Sequence, residues 1–198
     1  MSEYNIKDLK ISLILVSFVL STFILAGSFG ILMRTDQANL LSLDPTFFYT
    51  ILTFHGLLNV VIFFLAPFFI ARALLTRYVY VNQKITIISL ILIVFGAFGT
   101  MFSLLAGNMA LGWYFLYPII FYDSTEEFRI IWDLSILSLG FGILLLALDN
   151  IRSIVKKYGF TKSLAWHYFK GNISEELPPI ALISMVSSIA TIFAAFAG

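Results

Sequence analysis

Residues 47–75 read FFYTILTFHGLLNVVIFFLAPFFIARALL, and the class of protein follows from this run. It is longer than the roughly 20 apolar residues that a helix needs to cross the hydrocarbon core of a bilayer. Within it, His55 places an ionisable side chain in an apolar segment, where a polar group is costly and needs a partner. The only other histidine in the sequence is His167. The run therefore predicts a transmembrane helix that carries a candidate functional side chain.

The composition of the whole chain indicates the same class of protein. Of its 198 residues, 60% are hydrophobic and 12% are charged, and the mean hydropathy is +0.98. The net charge of +1 and the absence of a basic run with interleaved aromatic residues argue against nucleic acid as a partner. The chain has no cysteine, which excludes disulfides, iron–sulfur clusters and thiolate copper sites. We therefore predict an all-α, polytopic integral membrane protein with the lipid membrane as a partner.

Five segments have about the length that the hydrocarbon core requires. They are residues 11–33, 47–75, 85–106, 130–148 and 179–197. The charged head before the first segment is followed by no clear small-residue cleavage site, so we expect that segment to be retained as a helix. No repeat, low-complexity tract or soluble domain is visible. We expect a single membrane domain over residues 1–198, built as a bundle of five transmembrane helices.

Basic residues are sorted between the two ends of the predicted bundle. Arg34 and Arg129 are the only two of the twelve lysines and arginines that fall on the side rich in aspartate and glutamate. The other ten fall on the opposite side. By the positive-inside rule, we expect a cytoplasmic N-terminus and a C-terminus that emerges outside.

This orientation places the two histidines at different depths. The second span runs inward from about Phe47, so His55 is expected about 12 Å below the outer edge of the hydrocarbon core. His167 falls in a cytoplasmic connection, and the two cannot share a cofactor. A lone histidine in a membrane helix is either a hydrogen-bonded packing residue or a ligand or proton relay. Neutral imidazole is a common ligand of haem iron.

Small residues near His55 favour the ligand interpretation. Gly56 leaves room beside the imidazole for a flat macrocycle. On the first span, Gly27, Gly30 and Arg34 recur at helical spacing and form a smooth stripe that ends in a cation able to meet propionates. The alternatives are a helix-packing face for the glycines and, for Arg34, a boundary cation that pairs with Asp36 or with lipid phosphate. The candidate haem-binding residues are His55 (iron ligand), Gly56, Gly27, Gly30 and Arg34.

Two features outside the second span have both a functional and a structural interpretation. Residues 107–118, GNMALGWYFLYP, are rich in aromatic side chains and form either an interfacial belt or a lid over a buried cofactor. Asp133 is either a proton-uptake carboxylate or a structural acid satisfied at the start of the fourth helix, and we expect the second.

Several motifs carry a resemblance to a known family. They are GSFGILMRTD at 27–36, YTILTFHG at 49–56, IFF at 62–64, GWYFLYP at 112–118 and IWDL at 131–134. In this order and spacing, the chain resembles the first five helices, the N-terminal half, of subunit I of the haem–copper oxygen reductases. The form LTFHGLLN at 52–59 is closest to the B-type branch. Gln37 and the single Pro118 depart from the pattern of many relatives.

The resemblance implies a role in a terminal respiratory oxidase of a prokaryotic cell membrane. His55 would be one axial ligand of a low-spin haem, which passes electrons from a subunit II-like entry subunit to a haem–copper pair. Oxygen is reduced at that pair, with proton translocation. In the family, the copper site and the second axial histidine come from the sixth helix onward.

We therefore expect a split subunit I. This chain would bind no copper, hold no catalytic residue and take the second haem ligand from the rest of subunit I on a separate chain. The alternative is a non-catalytic paralogue or scaffold subunit of a respiratory membrane complex. A small transporter is disfavoured, because no internal repeat or pair of broken helices marks a substrate site.

Overall fold

The computed structural model describes residues 6–109, 111, 126–166 and 177–197. Within these residues the chain is helical and contains no strand. The helices are α1 (Ile6–Gln37), α2 (Pro45–Val60), α3 (Ala66–Leu75), α4 (Gln83–Ala106), α5 (Glu126–Tyr158), α6 (Phe160–Ser163) and α7 (Pro179–Ala197). A π-helical turn, Val61–Leu65, joins α2 to α3. The all-α prediction is confirmed for this part of the chain.

In the part of the chain that the structure describes, four helical stretches are long and apolar enough to cross a membrane. They are Leu13–Gln37, Pro45–Leu75, Gln83–Ala106 and Glu126–Tyr158. The helix α7 is also apolar but shorter, with 19 residues. Many large apolar side chains on these helices are exposed, as Ile24 on α1 and Phe193 on α7 are, and lipid is the solvent that such surfaces suit. These findings support a multi-pass membrane protein, while the orientation of the termini stays a prediction.

The helix α5 begins earlier and ends later than the apolar run predicted. Its first turn holds Glu126 and Glu127, and its last turn holds Lys156 and Lys157. Acids at the N-terminus and cations at the C-terminus suit the helix dipole, but they are too polar to be counted in an apolar span. Asp133 lies well inside this helix, so its interpretation as a helix-start acid was wrong.

A short connection with ordered caps links α1 to α2. Asn39 has a positive φ of 58°, and the amides of Asn39 and Leu40 donate to the carbonyls of Asp36 and Thr35, which closes α1 as a Schellman motif. Asp44 caps α2, because its Oδ2 accepts from the Phe47 amide at 3.1 Å. Pro45 follows at the first helical position, where its missing N–H costs nothing.

The π-helical turn has a local cause in the sequence. Pro67 lies just beyond it, and a proline ring clashes with the carbonyl four residues before it, here that of Phe63 within the turn. Widening the helix from an α to a π turn relieves that clash. The irregular turn therefore starts directly after Asn59 and Val60 at the end of α2.

One compact unit, which we call the His55 unit, comprises Ser17–Ala66 and Ile93–Leu139. Its buried apolar core contains Ala26, Phe54, Leu58, Leu104, Met109, Leu111 and Trp132. Within it, α4 and α5 pack very closely. A Cβ at Gly96 would lie 2.5 Å from the Ser135 carbonyl, and one at Gly99 would lie 2.1 Å from the Ser135 hydroxyl. At Gly96 the close atoms belong to the backbone of α5, so this packing requires glycine there, whereas at Gly99 the Ser135 hydroxyl would have to rotate away.

The second unit, the Arg72 unit, comprises Met1–Val16, Pro67–Leu92 and Gly140–Gly198. Its described apolar core contains Leu75, Val79, Val81, Ile154, Leu177, Ala181 and Met185. Unlike the core of the His55 unit, this one adjoins a buried ion pair, Arg72 with Asp149, at 2.7 Å.

Candidate functional site

The helix α2 holds His55 against α1 within the His55 unit. Phe54 and Leu58, which neighbour His55 along α2, are buried in the apolar core and fix this face of the helix. The side chain of His55 itself is half-buried. The packing of these neighbours therefore fixes the helix face from which the imidazole projects.

Both ring nitrogens of His55 have a partner. Nδ1 lies 2.8 Å from the carbonyl oxygen of Ala26 on α1. Nε2 lies 3.0 Å from the Nδ2 atom of Asn59, one turn further along α2. The imidazole is thus held between a backbone group of one helix and a side chain of its own helix.

These partners determine the tautomer of His55. A carbonyl oxygen only accepts, so Nδ1 carries the proton and donates to Ala26. The amide Nδ2 of Asn59 donates, so Nε2 bears the lone pair and accepts. In this neutral tautomer the lone pair on Nε2 points toward Asn59. This tautomer is also the arrangement found in metal-bound histidines, whose other ring nitrogen donates to a carbonyl or carboxylate.

Glycine on α1 provides the space for the imidazole. A Cβ at Gly30 would lie 3.2 Å from Cε1 of His55 and 3.7 Å from Nδ1, closer than most such contacts in proteins. A Cβ at Gly27 would meet no atom within 4 Å. The two glycines of the predicted stripe therefore differ, because Gly30 packs under the ring whereas Gly27 borders open space. Gly56 is buried on α2.

The cation of the stripe is exposed at the end of α1. Arg34 Nη1 donates to Oε1 of Gln37 at 2.8 Å. Asp36, which sequence reasoning considered as the partner of Arg34, instead accepts from the Leu43 amide at 2.7 Å through Oδ1. Gln37 thus orients the guanidinium.

An open groove runs along this part of α1. Its lining residues are Gly27, Gly30, Ile31, Arg34, Thr35, Ala38 and Leu40. The lining is apolar on the side of the glycines and cationic at Arg34. The structure therefore brings Gly27, Gly30 and Arg34 together in one groove, with His55 packed on Gly30.

Some predicted features lie outside the described residues. These are His167 and the aromatic segment with Trp113, Tyr117 and Pro118. Among the described residues, no group of three or more histidine, aspartate or glutamate side chains is placed to hold a metal ion. His55 is thus the candidate ligand that the described geometry offers.

Sequence reasoning missed three partners. Asn59 follows His55 by four residues, the spacing that puts two side chains on one helix face, so its bond to Nε2 was open to prediction. The acceptor on Ala26 is a backbone atom and leaves no signal in the sequence. Asp149 directly follows the predicted span 130–148, and its pairing with Arg72, which lies inside another span, was not predicted.

Comparison with known proteins identifies one match. The family model described as "Cytochrome C and Quinol oxidase polypeptide I" matches residues 10–198. No curated protein and no solved structure matches the chain.

Proposed function

Because this chain belongs to the cytochrome c and quinol oxidase polypeptide I family, and so forms part of a haem–copper oxidase subunit I, we propose that His55 is an axial ligand of a low-spin haem. The finer identity proposed is the B-type branch, in the cell membrane of a prokaryote. The observation that carries the haem role is the hydrogen bond from Nδ1 of His55 to the Ala26 carbonyl.

That hydrogen bond supports ligation in two ways. It keeps the proton on Nδ1, so that Nε2 retains the lone pair that iron needs. It also makes the imidazole a stronger donor, because partial transfer of the Nδ1 proton toward the carbonyl raises the electron density of the ring. Packing on Gly30 adds a steric restraint on rotation of the ring.

Asn59 has a separate part in this proposal. Its amide uses the Nε2 lone pair in the described geometry, at 3.0 Å. Ligation through Nε2 therefore requires the Asn59 side chain to turn away about its χ1 and χ2 torsions. An exposed or half-buried asparagine does this at the cost of roughly one hydrogen bond, about 1 kcal/mol.

The groove on α1 completes the site. Gly27, which has no neighbour within 4 Å of an added Cβ, offers a flat apolar surface. Arg34, held by Gln37, offers a cation for a carboxylate such as a propionate. When bound, a low-spin haem supplies one-electron transfer at a potential set by its ligands and surroundings. The residues of this chain would bind and orient the haem and exclude water from one of its edges.

Other parts of the oxidase complete the activity. We assign the second axial ligand, the copper site and the oxygen-reducing haem to residues beyond these 198, and electron entry to a subunit II-like partner. Proton translocation belongs to the complete oxidase. In the split arrangement, the missing helices are a separate polypeptide. An intact polypeptide of 22.3 kDa in the purified complex supports that arrangement, whereas a longer polypeptide that contains these residues contradicts it.

The haem role is tested by replacing the histidine. In the purified membrane complex, His55→Ala is expected to remove the low-spin haem, measured as haem per polypeptide and as the low-spin absorption and electron paramagnetic resonance signals. His167→Ala is the matched control, since it is the other histidine, and it should keep both signals. Full low-spin haem content in His55→Ala disproves the ligand role and favours the scaffold alternative.

A further inference from the structure

The Arg72 unit contains a buried polar cluster that the haem proposal does not use. We call it the Arg72 cluster, and its members are Arg72, Thr86, Asp149, Asn150 and Ser188. All five side chains are buried. Arg72 Nη2 donates to Thr86 Oγ1 at 2.6 Å and to Asp149 Oδ2 at 2.7 Å. Its Nη1 donates to Asn150 Oδ1, and Asn150 Nδ2 donates to Ser188 Oγ at 3.2 Å. The cluster therefore connects α3, α4, α5 and α7.

The ion pair uses only one oxygen of the carboxylate. Asp149 Oδ2 accepts from Arg72 and also from the Asn82 amide, at 3.1 Å. The second guanidinium nitrogen is turned to Asn150 and to the Leu146 carbonyl at 3.4 Å, so it does not reach Oδ1. Among the described residues, buried Oδ1 of Asp149 has no hydrogen-bond partner. The pair thus lacks the two parallel bonds that an arginine and a carboxylate often form.

A bare carboxylate oxygen in an apolar interior is costly and calls for a donor. Protonation does not remove the need, because an O–H on Oδ1 would itself require an acceptor and would leave the Arg72 charge unbalanced. A bound metal cation is disfavoured by the adjacent guanidinium charge. A water molecule can donate to Oδ1 and make further bonds to polar neighbours.

Two hydroxyl groups next to the cluster also need a hydrogen-bond partner. Ser89 follows Thr86 by one turn of α4, and Ser184 precedes Ser188 by one turn of α7. Both serines are fully buried, and neither Oγ has a hydrogen-bond partner among the described residues. By contrast, buried Ser103 on α4 donates to the carbonyls of its own helix, as serines in helices commonly do.

A small cavity adjoins the same cluster. Arg72 and Thr86 lie in its wall, together with Thr76 and Gln83, and it has room for about one water molecule. The cavity therefore borders the cluster at Arg72 and Thr86, whereas Asp149, Ser89 and Ser184 are not among its lining residues.

We propose that the Arg72 cluster is an internal water-binding site, in which Asp149 Oδ1 accepts from an ordered water and the hydroxyls of Ser89 and Ser184 extend the site along α4 and α7. The ligand class is water, and the Asp149 carboxylate is its acceptor. This site is separate from the His55 groove and does not depend on haem binding.

The test is a structure of the purified membrane complex in lipid nanodiscs at a resolution that shows ordered water. The expected result is density at about 2.6–3.0 Å from Asp149 Oδ1. A protein group bonded to Oδ1, or an Asp149 side chain with both oxygens on Arg72, overturns the proposal, as does a dry apolar contact at Oδ1.

A second measurement is independent of map resolution. Hydroxyl radicals made from bound water by a short X-ray pulse oxidise side chains near it, and the buried methionine that follows Ser184 in α7 is Met185. Labelling of Met185 is expected in the unchanged protein and should fall several-fold in Ser184→Ala. Ser103→Ala is the matched control and should leave labelling unchanged. Absence of labelling in the unchanged protein, or equal labelling in Ser184→Ala, counts against the water site.

Discussion

His55 and Arg72 are two polar side chains in apolar helices, and they differ in burial and in their hydrogen-bond partners. His55 is half-buried and has one partner at each ring nitrogen. Arg72 is 2% exposed and bonds to groups on α4 and α5. The first side chain keeps a contact that can be exchanged, whereas the second is enclosed by its partners. His55, which suits ligand binding, has a contact that a ligand can replace. Arg72, which suits joining helices, has contacts that enclose it.

The largest effect on stability is expected from breaking the buried ion pair of Arg72 with Asp149. Asp149→Leu leaves the Arg72 charge buried without a counter-ion, and such a change costs about 3–5 kcal/mol of the free energy of unfolding. Thermal or denaturant unfolding of the purified complex measures this. The double variant Arg72→Met/Asp149→Leu removes both charges and should recover most of that loss. A double variant as unstable as the sum of the single variants would show that the pair is not coupled.

A smaller effect is expected where the imidazole packs on α1. Gly30→Ala places a methyl group 3.2 Å from Cε1 of His55, so the ring or the helix has to shift. We expect a loss of about 1–2 kcal/mol in stability, the usual cost of overpacking, and an altered low-spin haem spectrum. Gly140→Ala on α5 is the control, because an added Cβ there meets no atom within 4 Å and Gly140 does not line the proposed haem groove. It should leave the haem spectrum unchanged and alter stability by no more than the helix-propensity gain. Equal spectra for the two variants would argue against the Gly30 contact.

The exchangeable contact of His55 should matter less. Asn59→Leu removes the donor to Nε2, which costs about 0.5–1.5 kcal/mol in protein prepared without haem. Because ligation displaces this amide in our proposal, the low-spin haem content should stay near that of the unchanged protein. Unfolding without haem and haem per polypeptide are the two measurements. A large loss of bound haem would mean that Asn59 holds the ligand geometry after all.

The smallest effect is expected at the exposed end of α1. Gln37→Leu removes the bond that orients Arg34, an exposed contact worth at most about 1 kcal/mol. Stability should barely change, but haem release from the complex should become faster if Arg34 meets a propionate. Arg34→Gln should give the same faster release, and unequal release rates in the two variants would separate the roles of these residues.

The helical class was predictable because it depends on composition and on the length of apolar runs, which are local properties. The ends of α5 were not, since its terminal turns are charged and resemble connections in a hydropathy pattern. Helical spacing predicted that Gly27, Gly30 and Arg34 share one face of α1, and they line one groove, while their part in haem binding stays a proposal. The family model matches residues 10–198. The partnership of Arg72 with Asp149 joins positions far apart in the chain, which a single sequence does not record.

The bond between His55 and Ala26 has a consequence for how the site can change over time. The acceptor is a main-chain oxygen, and every residue type that could replace Ala26 brings the same oxygen. Substitution at this position therefore cannot delete the bond directly, although a bulkier side chain can displace α1, because Ala26 is buried in the core. The backbone of α1 thus sets the orientation of the imidazole. That orientation can persist while position 26 changes from one small residue to another.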